Sequence, residues 1–449
     1  IIIVALFAAA AGAILMAYIS NTTFIATQTA DFAPIKKPVN QNPNQNPEQN
    51  PDVLPAVNQP TVFKEYQPGD FASTVNAVNQ FASELYQQYK NTTDNVFFSP
   101  YSISSALQMT YEGARGQTAQ EMQNVFHFSD DEKTRLSSFA ALYNQINPKN
   151  VSYQLSTANA LWAQKDYPFL PDYLKIAETY YHGKAANLDF IGNTEESRQT
   201  INQWVSSKTN NKIPELFAQG TINPLIRLVL TNAVYFKGKW DTPFEKTLTQ
   251  EKDFTTVSST KVKVPMMNNQ SDFLYTKTAD YQAVELPYEN NDLSMIIILP
   301  KNGKMAAVEN GLSADTLGAI KQSMNQQLVN IYLPKFKFDT SYNMNDTLSQ
   351  MGMSVAFNPD KADFTGMYDR AAADENLYIN LVVHKAYVDV NEEGTEATAA
   401  TGVAMQATSA IANPPEPIIF NADHPFIFAI VHNQTGAILF MGKVNDPTK

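Results

Sequence analysis

Residues 391–417 read NEEGTEATAATGVAMQATSAIANPPEP, directly after the strand-like run LVVHKAYVDV at 381–390. Met405 and Ile411 are the only large apolar side chains in this stretch, so it is expected to be an exposed loop. Compact domains seldom hold a structureless loop of this length without a use for it. Composition alone suggests a flexible Ala/Thr/Gly linker. Taken two at a time, however, Thr395, Ala397, Ala399, Thr401, Val403 and Met405 are small or apolar, while Glu396, Thr398, Ala400, Gly402, Ala404 and Gln406 are small or polar. That period of two lets the same stretch act as a strand with one face buried.

Upstream of the loop, Phe71, Val75, Val78, Ala82, Leu85 and Tyr89 recur at three and four, which predicts an amphipathic helix over 71–90. A short VFF strand is expected from Val96. Ser99 and Pro100 then read as the N-cap and first turn of a second helix. Thr118 and Glu121 read as a capping box that opens a third. Strand character dominates later, at 228–236, 293–299, 330–333, 381–390, 425–431 and 437–441. Helices early and strands late imply an α+β fold rather than a βαβ alternation. No linker splits the strand-rich half, so one large domain is expected from about residue 61 to 449.

The chain has 449 residues, a length that by itself suggests about three domains. Lys plus Arg number 32 against 44 Asp plus Glu, a net charge of −12, which disfavours nucleic acid. Cysteine is absent, so disulfides, thiolate metal sites and a Cys nucleophile are excluded. No G-x-S-x-G, H-E-x-x-H, Walker A or EF-hand motif occurs. Five histidines, His127, His182, His384, His424 and His432, stand in no catalytic signature. An enzyme, a metal and a cofactor are therefore not expected.

Residues 1–19 are uncharged and apolar, long enough at ~1.5 Å per residue to span a bilayer core. They read either as a membrane anchor or as the apolar part of a signal peptide. Residues 20–60 include a Pro/Asn/Gln-rich linker in which QNP recurs at Gln41, Gln45 and Gln49. Such sequence favours extended polyproline II, in which residues 34–60 reach up to ~80 Å. The expected location is outside the cell, secreted or tethered to the outer face of the membrane.

From 61 to 449 the chain resembles the serpin family. The likeness rests on NVFFSPYSISSAL at 95–107, LTNAVYFKGKW at 230–240, VELPY at 284–288, LPKF at 333–336, VVHKAYVDVNEEGTEA at 382–397 and FNADHPFIFAI at 420–430, all in family order. The resemblance implies a serpin fold whose exposed reactive-centre loop baits a serine protease or, for some members, a cysteine protease. Cleavage gives a covalent acyl-enzyme, and the loop then inserts into a central sheet and disables the protease. It implies a hinge of Glu392, Glu393, Gly394, Thr395, Glu396, Ala397, Thr398, Ala399, Ala400 and Thr401. Ser99, Ser102, Asn232 and His384 match the family's shutter. Trp240, Lys335 and Glu392 match its breach, with Lys335–Glu392 as an ion pair. The inward hinge residues are small and uncharged, as burial in a sheet requires, which suits an inhibitor.

Family spacing from the hinge glycine places the reactive bond at Thr408–Ser409, whereas counting back from Phe420 places it nearer Ala412. No Arg or Lys lies between Val403 and Ala412, so elastase- or subtilisin-like proteases are the expected targets. A monomer is expected. The alternative is a non-inhibitory relative acting as a binding or cell-surface interaction protein.

Overall fold

The computed structural model describes residues 65–149, 151–395 and 416–449. The apolar run at 1–19, the QNP linker and the loop from Glu396 to Pro415 lie outside the described residues. The periodic stretch at 71–90 forms α1 (Ala72–Tyr89), which buries Val75, Val78, Phe81, Ala82 and Leu85. These positions share one helix face because 3.6 residues make a turn. After β1 (Val96–Phe98) comes α2 (Pro100–Tyr111). The Ser99 side chain caps it by accepting from Ser102 N at 3.1 Å, and Pro100 sits in the first turn, where no helical partner for its N–H is needed.

The next helix, α3 (Gly116–Phe126), departs from expectation because Thr118 and Glu121 form no capping box. It starts earlier, after Arg115, and distant backbone groups take both side chains. Thr118 Oγ1 accepts from Asp363 N at 2.9 Å, and Glu121 Oε2 accepts from Ser354 N and Val355 N at 2.8 and 2.7 Å. Tertiary partners displace the local pattern.

Next come α4 (Glu132–Ile146), β2 (Gln154–Gln164), α5 (Pro171–Tyr181), β3 (Lys184–Leu188) and α6 (Thr194–Lys208). The rest is mainly strand: β4 (Leu228–Lys239), β5 (Gln250–Thr255), β6 (Lys261–Lys277), β7 (Tyr281–Pro287) and β8 (Leu293–Pro300). Two short helices, α7 (Met305–Asn310) and α8 (Ala314–Ser323), precede β9 (Asn325–Pro334), β10 (Phe336–Asn343) and α9 (Met344–Gln350). The chain closes with β11 (Leu381–Asn391), β12 (Gly394–Thr395), β13 (Ile418–Asn421), β14 (Phe426–His432) and β15 (Ile438–Val444).

The strands make two sheets. One runs β1-β15-β14-β8-β7-β6-β9-β13, with β5 also paired to β6; the other runs β10-β11-β12-β4-β2-β3. β8, β14 and β15 are buried at every residue, which is why they read as mainly apolar runs, broken only by Ser294 in β8, His432 at the end of β14, and Gly442 and Lys443 in β15. The main core joins the sheets: Leu230, Val234 and Phe236 of β4 share it with Phe428 and Ile430 of β14. A second cluster covers the opposite face of the smaller sheet. There Ile201 and Val205 of α6 pack with Trp162 of β2, Val229 and Ala233 of β4, and Val383 of β11.

Candidate functional site: a seam in the smaller sheet

β4 and β11 run parallel and pair directly from Leu381↔Val229 to Tyr387↔Tyr235. Above that point they part, and β12 lies between them. Gly394 and Thr395 pair antiparallel with Lys239 and Gly238 of β4 on one side, and with Asn391 and Val390 of β11 on the other. β12 thus occupies the seam at one end, and β4 and β11 pair directly from Tyr235 and Tyr387 down to Val229 and Leu381.

The β12 end is in register with the directly paired part. Thr395 lies between Gly238 and Val390. Counting six residues down both strands in step reaches Asn232 and His384, which are direct partners in the closed seam. A strand could therefore enter by parting β4 and β11 sideways, without sliding either one.

The hinge is held from several directions. Lys335 Nζ lies 2.8 Å from Glu392 Oε2, the expected ion pair, and Thr249 Oγ1 donates to Glu392 Oε1 at 2.9 Å. Burial alone would raise the Glu392 carboxyl, but the bonds from Lys335 and Thr249 outweigh it and hold the group below the usual range. Trp240 Nε1 donates to Asn391 O at 3.0 Å and Trp240 N to Glu393 O at 2.9 Å. Lys246 pairs with Glu393 at 2.5 Å, and the Thr395 hydroxyl meets Tyr288 Oη at 2.7 Å.

Thr395 is 1% exposed, so the first inward hinge residue is already indoors. Gly394 must be glycine, because an added Cβ would come within 2.0 Å of Gly238 O. Lys246, Thr249 and Tyr288 were not anticipated as site residues. Tyr288 closes the VELPY block, whereas nothing local marks the other two.

Lower down, a polar row crosses the seam. His384, Asn232 and Asn159 are neighbours in register across β11, β4 and β2. Asn232 Nδ2 lies within hydrogen-bonding distance of Ser102 Oγ at 2.6 Å, Ser102 O at 2.8 Å and Asn159 Oδ1 at 2.5 Å, and shares its two hydrogens among them. Asn159 Nδ2 donates to Ser105 Oγ at 3.1 Å.

Ser99 N donates to His384 Nε2 at 3.1 Å, so that nitrogen is unprotonated and Nδ1 carries the hydrogen that Asn232 Oδ1 accepts. Burial pushes the imidazole down to about 3, against the opposing pull of Asn232. The structure thus gathers Ser99, Ser102, Asn232 and His384 into one cluster and adds Asn159 to it. Trp240, Lys335 and Glu392 gather at the end that β12 occupies. Hinge residues Glu396, Ala397, Thr398, Ala399, Ala400 and Thr401 and the bond Thr408–Ser409 lie outside the described residues.

Residues 76–447 match the model of a family described as Serpin (serine protease inhibitor). An uncharacterized serpin-like protein of Thermococcus kodakarensis is 42% identical over 388 residues, 86% of this chain and 89% of that one. The leukocyte elastase inhibitor of Homo sapiens is 39% identical over 383 residues, 83% of this chain and 99% of that one. Among solved structures, the thermophilic serpin tengpin in its native state matches with a TM-score of 0.76 at 30% identity, covering 85% of this chain and 96% of that one.

Proposed function

The chain belongs to the serpin family of serine protease inhibitors, and from that premise we propose that it works as a suicide substrate. The protease cuts Thr408–Ser409 and is left esterified to the Thr408 carbonyl. The loop then enters the β4–β11 seam as a full strand and draws the protease along before water can release it. The observation that carries this reading is Gly394–Thr395 lying between β4 and β11 in register with the closed seam.

Extending that register gives the inserted state residue by residue. Ala397 falls between Phe236 and Val388, Ala399 between Val234 and Ala386, and Thr401 between Asn232 and His384. These inward positions face the main core, where only small uncharged groups enter without a large desolvation cost. Ala400 and Gly402 fall on the other face, beneath the α6 cluster, where small size again suits them. Met405 reaches Leu228, the start of β4, so Thr408 ends just past the sheet. A bond at Thr408–Ser409 therefore leaves little slack between sheet and protease, whereas one at Ala412 leaves more.

Insertion exchanges seven direct parallel pairs for antiparallel ladders on both sides of the new strand. At roughly 0.5–1.5 kcal/mol net per added hydrogen bond, the gain is on the order of 10 kcal/mol.

The targets we propose are elastase- or subtilisin-like. Ala, Thr, Val and Met around the bond suit small apolar pockets, and one similar protein is named leukocyte elastase inhibitor. We further propose that the monomer acts outside the cell, secreted or tethered through residues 1–60. No helix among the described residues is long and apolar enough to cross a membrane.

Mixing with elastase, subtilisin, trypsin and chymotrypsin tests the proposal. An SDS-stable adduct is expected with the first two. Fast inhibition of trypsin alone contradicts the target class. Cleavage by all four without any adduct contradicts inhibition and favours a non-inhibitory binding protein. Thr395→Arg sharpens the test: it puts an unpaired cation at a 1%-exposed position, a cost of several kcal/mol. This variant is expected to be cut without forming adduct; an adduct of normal yield would falsify the insertion step.

A further inference from the structure

We infer that Tyr288 primes the trap, holding Thr395 docked in the seam before a protease arrives so that insertion starts from a formed nucleus. This rests on the suicide-substrate reading and adds to it a positioning residue and a defined resting state.

Tyr288 follows β7 and is 1% exposed. Its ring stacks on Trp240 with centroids 4.6 Å apart and meets Phe236 edge-on at 5.1 Å. Burial pushes the phenol well above its ordinary range, so the hydroxyl remains neutral and able to donate. It meets the Thr395 hydroxyl at 2.7 Å, in the interior.

Two glycines leave the space this docking needs. A Cβ on Gly394 would strike Gly238 O at 2.0 Å, and a Cβ on Gly238 would come within 2.8 Å of the Tyr288 ring. The residues just before Thr395 are tied down as well, through Lys246–Glu393 and through Trp240 N and Phe244 N, which donate to the carbonyls of Glu393 and Glu392.

Starting a strand between two others means fixing residues before their contacts return anything, and loop entropy opposes those first residues most. With Gly394 and Thr395 already paired on both sides, later residues add one at a time. Tyr288 thereby bears on the race between insertion and release of the protease by water.

The test is the partition between adduct and cleaved inhibitor, measured beside the association rate with an elastase-like protease. Tyr288→Phe keeps the stacked ring and removes the hydroxyl. Thr395→Val removes its partner at nearly the same volume. Each is expected to raise the ratio of cleaved inhibitor to adduct about fivefold, the factor one buried hydrogen bond confers, with the association rate unchanged. The double variant is expected to do no more than either single one.

Unchanged partition in both single variants overturns the inference. So does faster association at unchanged partition, because the contact would then merely restrain the loop. Absence of adduct with the unaltered protein overturns the suicide-substrate reading itself.

Discussion

At His384 the imidazole is held neutral from two sides, with Ser99 N donating to Nε2 and Nδ1–H donating to Asn232 Oδ1. Its folded value of about 3 lies below the ordinary 6.5. Above pH 6.5 the ring is neutral in both folded and unfolded chains, and its full contribution to stability is present. Below that, the unfolded chain binds a proton that the native state refuses, so stability falls by ~1.4 kcal/mol per pH unit down to about pH 3. Urea unfolding of the protein and of His384→Asn is therefore expected to show a stability gap that narrows with this slope below pH 6.5. A gap independent of pH contradicts neutral burial.

The members of this cluster were legible in the sequence through family resemblance. Asn159 was not, because it lies in a strand that no alternation announces. Lys246 and Thr249 were hidden for a different reason: their partners, Glu393 and Glu392, are more than 140 residues away.

Among the elements, β4 and β11 carry the proposed mechanism. Their closed stretch is a parallel pairing, slightly weaker per residue than an antiparallel one, and the β12 end already shows the antiparallel arrangement that would replace it. In the proposed inserted state Thr401 would stand between Asn232 and His384, where its hydroxyl could take up the bonds broken when those two part. Thr401→Val is thus expected to lower the denaturant stability of the loop-cleaved form by ~1–2 kcal/mol and to leave the uncleaved form unaltered. Equal effects on both forms, or none, contradict the register.

Apolar runs such as β8 and β14 could be read directly, since burial on both faces leaves no polar alternation to blur them. β6 could not. Pro265 and the polar Asn268, Asn269, Gln270 and Ser271 look like a turn, yet the strand runs from Lys261 to Lys277 and serves β5, β9 and β7 in turn. The α3 capping box misled for the opposite reason, because a correct local pattern lost its side chains to partners more than 200 residues away.

Across the whole molecule, length argued for about three domains, but residues Thr61–Lys449 make one compact unit because two sheets share a core. Nothing in the composition announced that sharing; it follows from β4 presenting one face to the larger sheet and the other to α6. The same arrangement leaves the β4–β11 seam occupied by β12 at one end and directly paired from Tyr235 and Tyr387 down, which is where the proposed insertion would proceed. Intact mass spectrometry after reaction with an elastase-like protease tests this account most directly. The account predicts a covalent species equal to the protease plus the chain through Thr408 less one water, together with a released fragment starting at the free amine of Ser409. Cleaved chain beside free, fully active protease, with no covalent species, would contradict it.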